Sequence, residues 1–382
     1  MNMKNLPAIV KKSLIYILVA ALSSGVTWFV ADKTPNSKLE ELADVIDKKF
    51  IAQADQTEIQ DAAANAMVEA LGDQWSYYIP ASQQEFYQER KNNAYVGIGV
   101  SVMEREDKTG YDVVGVVSGG PAEEAGILPG DVITHADGVF LGDLPISEGQ
   151  NYIIGEKNTK VVLTLLRGEE TLEISVARRA VHTKVAEGVM LDDQIGYVRI
   201  ENFYEGSAND TIAAIEELTG SGAEKLIFDV RSNPGGYISE LIELLDYLLP
   251  EGALLRSVDY AGKEEVQMSD ENCLKLPMVV MINAYSYSSA EFFAAALAEY
   301  DWAVTVGEAT TGKGYYQSTY VFSDGSSVSL SSGKYTTPNG VSLAEVGGLV
   351  PDVEVALPEN ISTWQEDPQL QAAMAALAEE TK

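Results

Sequence analysis

With 382 residues, 46% of them hydrophobic and 8% aromatic, the chain has the composition of folded globular material and the length of two or three domains, which excludes disorder, collagen-like repeats and a global coiled coil. Its 58 Asp and Glu against 26 Lys and Arg leave a net charge of −32, a field that repels phosphate backbones and anionic lipid surfaces, so nucleic acid is not an expected partner. The single cysteine, Cys273, makes no intramolecular disulfide and rules out multi-cysteine zinc sites and iron–sulfur clusters.

Residues 1–31 read as a targeting segment. Lys4, Lys11 and Lys12 precede an uncharged stretch from Ser13 to Ala31 that is long enough to cross a bilayer as a helix. The lysines are expected to stay in the cytoplasm, sending everything after Asp32 to the other side. The expectation is a single-pass membrane protein whose globular part is extracellular or periplasmic; the rival is a cleaved signal peptide and a secreted protein. Residues 32–93 follow as a polar linker and a helical region, with Leu39, Leu42, Val45, Ile46 and Phe50 at helical spacing and Ile59, Ala62, Ala63, Met67, Ala70 and Leu71 repeating it.

From 94 to 180 the texture changes to short β-branched runs separated by turns: YVGIGVSV, YDVVGVV, DVITHADG and KVVLTLLRG. GGPAEEAGILPGD sets one short helix between two turns, and EGQNYIIGE reads as a second. This order resembles a PDZ domain of the type found in bacterial proteases, with Gly97, Ile98, Gly99 and Val100 in the place of the carboxylate-binding loop. Successive N–H groups in such a loop hold a peptide's terminal carboxylate while the peptide adds a strand to the sheet edge. From 181 to 357 strands and helices alternate: strands at 195–200, 225–230, 277–282 and 303–307, helices at 208–218, 238–249 and 289–298. Repeated βα units imply a largely buried sheet with helices packed on it. Residues 358–382 end in a last helix.

The chemistry concentrates late in the chain. The two histidines, His135 and His182, lie in the PDZ-like segment and at its exit, which speaks against a Ser-His-Asp triad and against clustered-histidine metal hydrolysis. Ser286, Ser288 and Ser289 cluster where a buried strand turns into a helix, whose N-terminal amides favour developing negative charge. Lys313 sits between two glycines after another strand, and a lysine kept neutral by burial can act as the base for a serine hydroxyl. Locally, Ser288-x-x-Glu291 is a capping box and Lys313 a loop lysine. GEATTGKG also approaches a phosphate loop, but Gly314 stands where a Ser or Thr must meet magnesium and the chain continues as strand.

Longer stretches resolve the choice. ALGDQWSYYIPASQQEF, IGYVRIENF, LIFDVRSNPGG, VGEATTGKGYYQ and SLSSGKYTTPNG with GLVPDVEV resemble the carboxyl-terminal processing proteases, the tail-specific serine peptidases, over residues 38–356. The resemblance implies an α+β multidomain chain with a crotonase-like protease core, no cofactor and no metal. In that family nucleophile and lysine are separated by 25 residues, which from Lys313 lands on Ser288. Gln317 matches the glutamine that orients the base, and Gly235, Gly236 and the Ser289 amide are the implied oxyanion donors. Tyr287 is the largest departure, standing where the family has alanine, and narrows the cleft. The expected substrate is a protein or peptide with a free, apolar C-terminus, and the N-terminal helices are candidates for a homodimer. The alternative reading is a catalytically inactive PDZ scaffold that binds extracellular tails.

Overall fold

A computed structural model describes residues 38–358 and 363–379; the expected membrane or signal helix lies outside them. No helix of the described residues is long and apolar enough to cross a membrane. The chain divides into two compact units, one ending at Met67 and one from Val68 onward. In the first, α1 (Lys38–Lys49) and α2 (Gln56–Glu69), whose last two residues fall in the second, carry the expected helical spacing. Leu39, Leu42, Val45 and Phe50 remain exposed there.

The second unit begins with a departure from the expected all-helical N-terminal region. Tyr77–Ile79 form a strand, β1, that pairs antiparallel with a strand near the other end of the chain. Trp-Ser-Tyr-Tyr-Ile before a proline is β-prone and turn-bounded, which outweighs the helical periodicity upstream. Helix α3 (Gln84–Lys91) then leads into β2 (Ala94–Gly97).

The PDZ-like module consists of β3 (Val100–Glu104), β4 (Tyr111–Val116), the one-turn α4 (Pro121–Glu124), β5 (Val132–Ala136), β6 (Val139–Phe140), α5 (Ile146–Ile153), β7 (Lys160–Arg167) and β8 (Glu170–Ala177). Its strands run in the order β3-β4-β5-β7-β8 with β6 on β5. Ile98, Tyr111, Ile133, Leu141, Leu163 and Leu165 fill its own core. The module leaves through β9 (Arg179–His182), which pairs antiparallel with β2 from Ala94↔His182 to Gly97↔Arg179. Entrance and exit are thus zipped into a two-stranded neck.

The core sheet contains β10 (Ala186–Met190), β11 (Ile195–Ile200), β12 (Lys225–Asp229), β15 (Met278–Ile282), β16 (Ala303–Gly307) and β19 (Val353–Glu354) in that order, parallel except for β10. Every residue of β15 is buried, as a strand covered on both faces requires. Helices α6 (Ser207–Gly220), α7 (Ile238–Leu248) and α8 (Ser289–Glu299) share the larger core on one face. Helix α10 (Pro368–Glu379) covers the other through Leu370, Ala373 and Leu377; the one-turn α9 (Leu343–Val346) precedes it.

A second sheet completes the unit. Strands β13 (Gly252–Asp259) and β14 (Glu264–Ser269) form a hairpin, and β17 (Tyr315–Val321) and β18 (Ser327–Thr336) form another. The strands run β1-β18-β13-β14, with β17 also on β18. Three loops, after β12, β15 and β16, meet at the carboxyl edge of the parallel strands, the usual place for a site in an α/β sheet.

Candidate active site

The loop after β15 is fixed before it reaches α8. Asn283 N–H donates to Ser286 Oγ at 3.0 Å, and that hydroxyl donates to Val230 O at 2.8 Å. Ser286 is fully buried and committed to this turn. Ser288, the residue before α8, has φ 58° and ψ −128°, a conformation that a side chain other than glycine holds only when its surroundings impose it. Its amide is held by Glu291 Oε2 at 2.9 Å. Ser289 is buried, and its hydroxyl donates to Gly236 O at 3.3 Å. Of the three serines, Ser288 alone lines a cavity of about 400 Å³ that also contains Lys313 and Gln317.

Glu291 connects the two loops. Its Oε1 accepts from Thr310 Oγ1 at 2.5 Å and from Gly312 N–H at 2.6 Å, and its Oε2 accepts from Lys313 N–H at 2.9 Å as well as from Ser288 N–H. One fully buried carboxylate therefore fixes the backbone of both the serine and the lysine. The capping motif announced this residue only as a helix cap. The Lys313 ammonium stands 4.7 Å from the centre of the Trp75 ring and 5.8 Å from that of Tyr287, and the two rings lie 5.8 Å apart, tilted by 34°. Burial lowers its pKa to about 8, against the opposing charges of Asp73 and Glu291. Gln317 lines the cavity, but its amide donates to Tyr315 O at 3.2 Å and Ser331 Oγ at 3.1 Å.

The Asn-Pro-Gly-Gly turn after β12 lies against the serine. A side chain on Gly235, whose φ is +77°, would come within 2.7 Å of Ser288 Cβ, and one on Gly236 within 2.1 Å of the Phe203 carbonyl. The Gly235 N–H donates to Asn233 Oδ1 at 2.8 Å. The amides of Gly236 and Ser289 have no acceptor among the described residues. Neither histidine reaches the cavity: His182 Nε2 pairs with Asp210 at 2.9 Å, and His135 packs on Phe140. In the PDZ-like module the carbonyls of Ile98 and Gly99 accept from Ala122 and Val117, and the amides of these two residues have no acceptor among the described residues.

The sequence pattern of peptidase family S41 matches residues 194–355 and that of the PDZ domain matches residues 96–177. The chain is 30% identical over 361 residues to the "Carboxy-terminal processing protease CtpA" of Bacillus subtilis (strain 168), covering 90% of this chain and 77% of that protein. It belongs to peptidase family S41. A "Probable CtpA-like serine protease" of Staphylococcus aureus (strain COL) is 28% identical over 348 residues, 90% of this chain and 69% of that one. Among solved structures, the photosystem II D1 C-terminal processing protease matches with a TM-score of 0.49 at 25% identity, over 88% of this chain and 91% of that one. This S41 chain is therefore a serine-type peptidase carrying a PDZ domain, and the inactive-scaffold reading is not favoured.

Proposed function

We propose that this peptidase captures the free C-terminal tail of an unfolded protein through its PDZ domain and cuts upstream of it with a Ser288–Lys313 dyad. The observation that carries the reading is a strained, cavity-facing Ser288 sharing one pocket with a lysine whose pKa burial has lowered to about 8. Neutral Lys313 takes the proton of Ser288 Oγ as that oxygen attacks the scissile carbonyl. The amides of Ser289 and Gly236 receive the oxyanion, Gly235 allowing the close approach. Lys313 then returns its proton to the leaving amine, and the acyl-enzyme is hydrolysed by a water that the same lysine deprotonates. Gln317 orients the base once substrate tightens the pocket. The Gly97-Ile98-Gly99-Val100 loop, with its two open amides, holds the tail's carboxylate.

The test incubates the full chain and Ser288→Ala with an unfolded protein ending in Val-Ala-Ala or in Asp-Asp, the fragments being identified by mass spectrometry. Cleavage of the apolar-tailed protein, lost by about 10³-fold or more in Ser288→Ala, is the expected result. Undiminished cleavage by the variant moves the nucleophile elsewhere.

The reading extends to location and assembly: Ser13–Ala31 anchors the chain with its catalytic part outside the cytoplasm, and the exposed apolar residues of α1 support a homodimer. Activity that stays in the soluble fraction, or a monomer by sedimentation, removes the respective part.

A further inference from the structure

The catalytic cavity contains a second ammonium group that the chemistry above does not use. Lys91, at the end of α3, lines the cavity with Ser288 and Lys313. Its Nζ stands over the ring of Tyr204 at 4.2 Å, with Tyr87 at 5.6 Å and Tyr237 at 5.7 Å, and all three rings line the same cavity. The helix end is anchored where Lys91 O accepts from Glu205 N–H at 3.1 Å. An ammonium offers three donors, yet Lys91 makes no hydrogen bond or ion pair among the described residues. Burial lowers its pKa to about 8, and the charges that act on it, Lys313 and Arg90, are both positive. Glu205 and Glu240 act on Tyr237 and not on Lys91.

The contrast with the rest of the molecule is large. In a chain of net charge −32, the cavity is lined by two lysines and by no carboxylate. Lys91 holds its ammonium among three rings that all line the cleft, with no carboxylate among the lining residues to face it. An aromatic cage lowers the cost of holding the cation in place, but its three ring faces satisfy none of its N–H donors. The missing component is an anion with hydrogen-bond acceptors, and in a peptidase the polypeptide in the cleft brings it.

We propose that Lys91 is a specificity-determining residue that binds a carboxylate of the substrate close to the scissile bond. The inference rests on the cavity being the peptidase site. The carboxylate is either an Asp or Glu side chain or the chain terminus itself, and the two sources share one chemistry. It is a preference of the cleft, separate from the apolar tail expected in the PDZ groove.

The experiment uses the full chain and peptide pairs differing only as Glu against Gln at successive positions around the cut, with a second set differing as free against amidated C-terminus. Cleavage is measured as kcat/KM with the unaltered chain, and binding is measured by calorimetry in a Ser288→Ala background. The expected result is a preference of about tenfold or more for the carboxylate at one position or at the terminus, falling to about one in Lys91→Met and kept in Lys91→Arg. A preference confined to the side-chain set identifies an acidic-residue subsite; one confined to the terminus identifies a trimming activity. Equal handling of both members of every pair, or a preference that survives Lys91→Met, overturns the proposal while leaving the peptidase intact. Preferential binding without any cleavage keeps the carboxylate site and overturns the peptidase reading instead.

Discussion

In the proposed dyad Lys313 acts as a base only when neutral, and its surroundings decide when that is. Burial favours the neutral amine and brings the pKa to about 8, while Asp73 and Glu291 pull it upward. For an uncharged peptide, kcat/KM should therefore rise with pH through about 8. Asp73→Asn removes a charge that favours the ammonium, so the rise should move to lower pH in a pH–rate measurement; a rise that moves upward contradicts the assignment. The same burial makes the charged lysine a destabilising group below about pH 8, a cost relieved as pH approaches the ordinary value of 10.5. Lys313→Met should thus abolish cleavage and raise the melting temperature at pH 7, the common opposition between a working site and a stable one. Trp75, packed at a tilt against Tyr287, covers the lysine on one side.

The elements that frame this chemistry differed in how plainly the sequence announced them. Strands at 195–200 and 303–307 coincide with the expected ones, because short runs of strand length, enriched in β-branched and aromatic residues and bounded by turn residues, favour a strand over a helix. The hairpin of β13 and β14 went unread: its outer strand carries Glu264, Glu265 and Gln267 and is largely exposed, so no core face marks it. Strand β1 is three residues long and owes its existence to a partner 250 positions away. Ser288 and Lys313 were legible only through the interval between them, since each taken locally is a cap or a loop. Lys91 had no signal at all, because its cage comes from rings in three separate segments. The neck of β2 and β9 makes a separable insertion of the module between them. Replacing residues 98–178 with a short turn should leave the remaining chain folded, with near-native melting, and remove the preference for one tail over another in the cleavage assay. Loss of cooperative unfolding in that variant contradicts the insertion reading.

Across the whole molecule, distant stretches of chain converge on one small volume. Arg231 pairs with Asp229 at 2.6 Å and with Asp367 at 2.8 Å, tying α10 to the end of β12 beside the Asn-Pro-Gly-Gly turn. Tyr197 and Arg199 complete this buried network from β11. The cavity wall itself draws on Gln74 and Trp75 ahead of the PDZ insertion and on Ser329 and Tyr335 far behind it. A polypeptide still emerging from the ribosome has Ser288 before it has the strand that walls the cleft. Synthesis therefore carries its own safety catch: a copy that has not yet made β18 lacks a wall of its cleft, and the blade is sheathed until that strand threads between β1 and β13.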